Sequence, residues 1–357
     1  MTDHPTTIRI AAPQDGQALM QLIDQVNAET EFLGRPEERM PWQDPSQVLR
    51  EMAERGSGVY ILAQRGPTLL GYLGAYPGAF ERNRGAVYIA HVGLLASARG
   101  QRIGGLLFDA VETWARERGA WRLELRVDEV NGRGRGLYTR QGSIVQGRFP
   151  HAARLEDGWH THLWMAKPLR VVTEPSMLPV DLPAPHERVS ASDIGFRDIT
   201  AADAAAMVVW ERQVLADLPF WLKQPREVND EAATAKRMTA AADRGQLMHA
   251  AFAGERILGY VGAWRQPGRR MRHDAIFTLS VLREAWGAGV GRGLFARLLD
   301  WAKAGELHRL STSMAAQNTR GLRFAERHGF AREAVSPGYT VIDGQTIDRV
   351  QLGRVLE

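Results

Sequence analysis

The chain has 357 residues, 44% of them hydrophobic and 24% charged, which is enough to bury two cores of roughly 150 residues each and argues against wholesale disorder. It contains no cysteine, so disulfides, thiolate metal ligands and cysteine nucleophiles are excluded. The net charge is +4, and its 41 arginines are interleaved with acids, as in ETWARERGAWRLELR, the pattern of a solvated face and not of a nucleic-acid-binding patch.

The start, MTDHPTTIRIAAPQDG, has neither the basic region nor the apolar run of a signal peptide, and no stretch of about 18 apolar residues occurs. The expected location is the cytoplasm, with no membrane or nucleic-acid partner. In chain order the first half reads as a strand (TIRIAA), two helical regions (GQALMQLIDQVNAE and PSQVLREMAERG), and a hairpin around YILAQRGPTLL. A strand, a glycine-rich turn, a long amphipathic helix (GGLLFDAVETWARERG), the strand RLELRV, a last helix and a closing hairpin follow. The second half repeats this order, with IGFRDI, AADAAAMVVWERQVLA, EAATAKRMTAAADRG, HAAFAGERIL, RGLFARLLDWAKAGE and RLSTSM in the corresponding places. Strands and helices mixed in a mostly antiparallel order imply an α/β (α+β) fold.

The halves are copies. Gly71–Ala75 (GYLGA) recurs as Gly259–Ala263 (GYVGA) at an offset of 188, whereas Gly104, Trp114, Leu123, Asn131 and Gly142 match Gly291, Trp301, Leu310, Asn318 and Gly329 at 187. Five prolines between Pro168 and Pro185 mark a linker, since proline cannot feed ladders or helix interiors. The expected division is a first domain over 6–168, a linker over 169–193 and a second domain over 194–355.

In each copy a strand runs into a glycine turn that opens a helix: VGLLASARGQRIGG and LSVLREAWGAGVGR. Such a turn lets backbone N–H groups approach an anion, and the helix dipole favours phosphate there, so the expected ligand group is a pyrophosphate. A dinucleotide fold would place its glycines in the first βα unit, and a P-loop would need Gly-Lys-Ser/Thr, which is absent. The turns resemble the acetyl-coenzyme A signature of the GCN5-related N-acetyltransferase (GNAT) family, V-x-V, four residues, then Q/R-x-x-G-x-G/A. The first copy has Val92 and Leu94, then Arg99, Gly100, Gln101, Arg102, Ile103 and Gly104; the second has Leu279 and Val281, then Trp286, Gly287, Ala288, Gly289, Val290 and Gly291. Arg102 stands where glycine is usual, and Trp286 where Gln or Arg is usual.

The family's later motif, N-x-x-A-x-x-L/F-Y-x-x-x-G-F, is matched by Asn131 to Tyr138 with Gly142-Ser143, and by Asn318 to Ala325 with Gly329-Phe330. The resemblance implies two tandem GNAT domains, acetyl-CoA as co-substrate, and asparagines that touch the pantetheine arm or cap a helix. It also implies that Tyr138 sits beside the coenzyme sulfur as general acid. Because the second copy has Ala325 there, the first is the expected catalytic copy, although the second keeps both turn glycines and the Gly-Phe ending. Candidate bases for the attacking amine are His91, one residue before Val92, and Glu38, in the segment ETEFLGRPEERMPW. His160 and His162 lie close together, but two histidines without a third ligand make a poor metal site, and no metal is expected. Trp42 and Trp221 are candidates for packing or for lining a pocket.

The implied activity is transfer of an acetyl group to the primary amine of a small molecule by direct attack on the thioester. The alternatives are a coenzyme-binding regulatory protein with one or both copies inactive, and a protein or peptide N-acetyltransferase. The duplication is compatible with a monomer acting as an internal pseudo-dimer, or with a homodimer.

Overall fold

Duplication in the sequence becomes two units in the computed structural model, which describes residues 4–33, 42–170, 189–218, 220–342 and 344–356. The first unit takes in Met1–Pro175, Gly268–Arg270 and Ala334–Thr346; the second takes in Ser176–Pro267, Met271–Glu333 and Ile347–Glu357. Most of the expected linker, residues 171–188, lies outside the described residues.

The first unit is built from β1 (Thr6–Ile10), α1 (Gly16–Ala28), α2 (Pro45–Arg55), β2 (Val59–Arg65), β3 (Thr68–Pro77) and β4 (Ala86–Leu94). It continues through α3 (Ile103–Glu117), β5 (Arg122–Asp128), α4 (Gly132–Arg140), β6 (Ile144–Leu155) and β7 (Gly158–Pro168). The strands pair in the order β1-β2-β3-β4-β5-β7-β6, antiparallel except for β4 and β5. That parallel pair is joined by α3, the crossover that parallel strands require. Helix ends follow local chemistry: in α2, Asp44 accepts a hydrogen bond from the Gln47 amide, Pro45 takes the first turn, and Gly56 ends the helix at φ 58°.

In α3 the residues Ile103, Leu107, Phe108, Val111, Trp114 and Ala115 are buried. Their spacing of three and four makes one apolar stripe, and each large side chain contributes roughly 1.5–3 kcal/mol by burial. They share a core with Leu19, Val26, Leu73, Ile89, Leu123 and Leu125.

The second unit repeats the plan with β8 (Gly195–Asp198), α5 (Ala204–Asp217), α6 (Glu231–Asp243), β9 (Leu247–Ala253), β10 (Arg256–Arg265) and β11 (Asp274–Val281). It continues with α7 (Val290–Ala304), β12 (Arg309–Ala315) and α8 (Thr319–Arg327), followed in the chain by β13 (Ala331–Ile342) and β14 (Gln345–Val355). Residues of β13 from Ala334 onward belong to the first unit. The order within the second unit is β14-β12-β11-β10-β9-β8, with β11 and β12 parallel. Its core divides into one cluster around Leu294, Leu298 and Leu310 and another around Trp210, Val214 and Phe252. Among the described residues no helix is long and apolar enough to cross a membrane.

The change in repeat offset from 188 to 187 has a structural cause. In the second unit β10 pairs with β11 without interruption, Gly262 opposite Thr278 and Ala263 opposite Phe277. In the first, Gly74 lies opposite His91 and Ala75 opposite Ile89, so Ala90 is an extra residue in β4. A β-bulge in the first copy is therefore the single-residue insertion that the sequence comparison detects.

Candidate functional site

Each copy places a glycine turn against the end of a strand and the start of a helix. In the first unit the chain leaves β4 through a 3-10 turn at Ala96–Ala98 and reaches α3 through Gly100 at φ 80° and Arg102 at φ 63°. In the second it passes Arg283–Ala285 and reaches α7 through Gly287 at φ 88° and Gly289 at φ 85°. Arg102 thus adopts the left-handed conformation of the glycine it replaces, at a strain cost and with a cation added beside the turn.

Among the described residues, no protein acceptor is found for the amides of Gly100, Gln101, Arg102, Ile103 and Gly104. The same holds for Gly287, Gly289, Val290 and Gly291. A Cβ on Gly100, Gly287 or Gly289 would meet nothing within 4 Å. Open amides at a helix N-terminus, free of side-chain cover, fit an anionic group in both copies. Gly104 and Gly291 serve packing as well, because Leu137 and Phe324 close over them.

The Trp286 departure is accounted for by its hydrogen bond. Arg99 Nε donates to the Leu94 carbonyl at 3.2 Å, and Trp286 Nε1 donates to the matching Val281 carbonyl at 3.0 Å. Either side chain ties the turn to the strand end. Arg99 also pairs with Glu29, and Arg320 lies over the Trp286 ring at 4.4 Å. Gln101 donates to the Ser97 carbonyl, Ala288 donates its amide to Ala285, and Ile103 and Val290 are buried. Val92, Leu94, Leu279 and Val281 are half-buried against their cores.

Beside each turn two parallel strands part. The β4–β5 ladder ends at Ile89 and Leu125, after which β4 continues to Leu94 alone on that side. The β11–β12 ladder ends at Ile276 and Ser311, and the Thr312 hydroxyl donates to the Phe277 carbonyl at 3.0 Å just beyond it. Only the first unit places a bulge, Ala90, at the opening.

Asn131 and Asn318 are helix N-caps: their Oδ1 atoms accept from the Gly134 and Gly321 amides, each at 2.9 Å. Tyr138, on α4, packs its ring against Phe108 with centroids 5.3 Å apart. Burial, with a smaller contribution from Tyr88, pushes its phenol up to about 12. Ala325 in the matching position is buried in the second core. Ser143 is buried where the second copy has the core residue Phe330, and both follow a glycine with positive φ, Gly142 and Gly329.

The face of the first sheet opposite Leu123, Leu125 and Val127 carries polar residues whose pattern the sequence left unread. Arg122 pairs with Glu124 at 3.0 Å, both buried. Arg126, the first β5 residue beyond the ladder, lies over Phe149 at 4.3 Å and Trp164 at 5.5 Å, and Tyr88 stacks on Trp164. His160 sits between Asp128 at 2.5 Å and Asp157 at 2.8 Å. Burial opposes its charge, but the hydrogen bonds to Asp157 and Asp128 outweigh this and raise its pKa. His162 is lowered to about 4, by burial and then by Arg126, and its Nδ1 has no partner among the described residues.

His91 is exposed on β4 opposite Gly74, next to the bulge. Glu38 lies outside the described residues. Trp42 packs edge-on against Tyr60, and Trp221 packs against the cluster around Trp210. A cavity of about 490 Å³ in the second unit is lined by Arg292, Phe295, Leu299, Arg327, His328 and Arg354 and includes none of the expected site residues. Among the described residues no group of three or more His, Cys, Asp or Glu is placed to hold a metal ion.

Solved structures similar to part of the chain include an acetyltransferase of the GNAT family from Streptococcus pneumoniae, at 20% identity over 46% of this chain and 99% of that one, TM-score 0.43. A GCN5-related N-acetyltransferase from Kribbella flavida matches at 20% identity over 47% of this chain and all of that one (100%), TM-score 0.42. A phosphinothricin acetyltransferase from Sinorhizobium meliloti, solved with acetyl-CoA, matches at 19% identity over 48% of this chain and 94% of that one, TM-score 0.40. No curated protein sequence matches. The sequence profile of the acetyltransferase (GNAT) family matches twice, over 27–142 and 212–330, more than half of the chain and once per copy. The chain belongs to the GNAT acetyltransferase family, as a tandem two-domain member.

Proposed function

We propose that the chain is an acetyl-CoA-dependent N-acetyltransferase that acetylates the amine of a small molecule, and that its first copy does the chemistry. The supporting observation is an asymmetry: Tyr138, the bulge at Ala90 and the polar face around Arg126 all belong to the first copy, where the second has Ala325, an uninterrupted ladder and Ser313. Bound acetyl-CoA would supply the acetyl group as a thioester with a thiolate as leaving group. The open amides from Gly100 to Gly104 would hold its pyrophosphate, with the Arg102 cation alongside. The parted strands β4 and β5 offer unpaired backbone groups for the pantetheine arm and for the polarised carbonyl.

Tyr138 holds a proton throughout the neutral range, since burial raises its pKa to about 12, and it can deliver that proton to a departing thiolate. The candidates for removing the proton from the acceptor are His91, exposed on β4, and Glu38.

A chromogenic disulfide that reads released thiol tests the proposal, and the absence of cysteine leaves the protein itself silent. Thiol release from acetyl-CoA that depends on an added amine and is lost in Tyr138→Phe supports the reading. Amine-independent release, or none with any amine, contradicts it.

A second reading, that the second copy binds coenzyme without turnover, is favoured by the buried Ala325 in a copy that keeps the open turn at Gly287 and Gly289.

A further inference from the structure

We propose that the acceptor carries a carboxylate as well as its amine, and that Arg126 binds that carboxylate at the mouth of the strand splay. The inference rests on the acetyltransferase reading and names the substrate class of the same site.

Half-buried arginines ordinarily sit against an acid, because a desolvated cation without a counter-ion is costly. Arg126 has no hydrogen-bond or ion-pair partner among the described residues; its guanidinium rests on the rings of Phe149 and Trp164. The acids nearest to it along β5 are engaged elsewhere: Glu124 pairs with Arg122 at 3.0 Å, and Asp128 with His160 at 2.5 Å. The rings of Phe149 and Trp164, inclined at 76° to each other, hold the guanidinium without accepting hydrogen bonds in their planes, so its N–H groups remain for a ligand such as a bidentate carboxylate.

Its position along the strand matters as much. Glu124 is still paired with Tyr88, and Leu125 with Ile89, but Arg126 is one residue past the end of the ladder. Strand alternation turns it to the face away from Leu125 and Val127, which lie in the core. Tyr88, the ladder partner of Glu124, stacks on Trp164 on this same face. An amine entering from this face would meet the splay with Arg126 at its edge. The second copy has Ser313 in the matching place, where its hydroxyl accepts from Arg349 at 2.8 Å, so the arginine near this position is engaged by a side chain of the protein.

The test uses the full chain, acetyl-CoA and thiol release, with the twenty common amino acids, β-alanine and 4-aminobutyrate each assayed beside its carboxamide. The amine of a carboxamide has a lower pKa than that of the parent acid and so a larger neutral fraction at neutral pH, and a preference for acids must therefore come from binding. The expected result is at least one acid favoured over its amide by tenfold or more in kcat/KM. Arg126→Gln should then reduce that acid-to-amide ratio about 100-fold, mainly through KM, and Arg126→Lys should restore part of it. Amides that match or exceed every acid, a Gln variant that lowers both series alike, or no turnover of any acid overturns the assignment. Calorimetric titration of acetyl-CoA into the same protein separates the two claims: coenzyme binding without acid preference overturns only the Arg126 assignment, whereas no coenzyme binding overturns the acetyltransferase reading as well.

Discussion

Leu137 comes within 3.0 Å of the point where a Cβ on Gly104 would stand. The matching approach in the second copy, Phe324 to Gly291, is looser at 3.4 Å. The last glycine of each turn therefore sets how closely the following helix can approach, in addition to keeping the amides open. Gly104→Ala should be more destabilising than Gly291→Ala by roughly 1 kcal/mol, as overpacking of a tight contact is. Urea midpoints of the two variants check this; equal midpoints would show that Leu137 gives way freely.

Arg102 holds a left-handed backbone at φ 63° that costs a non-glycine residue about 1–2 kcal/mol. Replacing it by glycine removes the strain but enlarges the entropy of the unfolded chain by roughly 0.4–1 kcal/mol. The net expectation is that Arg102→Gly stabilises the protein by roughly 0.5 kcal/mol, while acetyl-CoA affinity falls with the loss of a cation at the anion site. Denaturant melts and calorimetric titration read the two effects separately, and a variant with lower stability would contradict the strain argument.

Tyr138→Phe keeps the ring against Phe108 and removes the proton. Transfer should drop by about 10²-fold or more if the phenol is the general acid, with little change in coenzyme affinity. With its pKa pushed up to about 12, the phenol should produce no alkaline decline in rate below about pH 11. A variant with normal turnover would reduce Tyr138 to a packing residue.

The two histidines of β7 should give opposite pH dependences. His162 is lowered to about 4, so between its unfolded value near 6.5 and that value only the unfolded state takes up the proton. Its contribution to stability is present above about 6.5 and declines by about 3 kcal/mol as pH falls to about 4. His160 is raised, so its contribution is present below about 6.5 and fades as pH rises through its folded value. Urea melts of His162→Phe and His160→Gln across pH 4 to 9 check both signs: the first variant should lose acid sensitivity, and the second should differ from wild type most on the acid side.

Much of this was legible in the sequence, because the motifs encode local geometry. The glycines of the turn, the asparagine caps and the amphipathic stripe of α3 are all set by neighbours in the chain, and each appears where spacing places it. The offset change between Ala75 and Gly104 was visible, but sequence alone could not assign it to Ala90, since a bulge is defined by the strand opposite. Trp286 read as a departure because its bond to the Val281 carbonyl depends on the path of the turn. Arg126 is not legible in the sequence for a related reason. One arginine among 41 becomes distinctive only when the acids around it are seen to be engaged and Phe149 and Trp164, far along the chain, are beneath it.

The central claim is that both turns bind coenzyme and the first copy performs transfer. Its most direct test is calorimetric titration of acetyl-CoA, with transfer assayed in parallel, on the intact chain and on Gly104→Glu and Gly291→Glu. A carboxylate at either position would oppose the phosphate and crowd Leu137 or Phe324. Two binding events in the intact chain, one lost in each variant, with transfer abolished only by Gly104→Glu, is the predicted result. Transfer that survives Gly104→Glu but not Gly291→Glu, or an intact chain that takes up no acetyl-CoA, would contradict it.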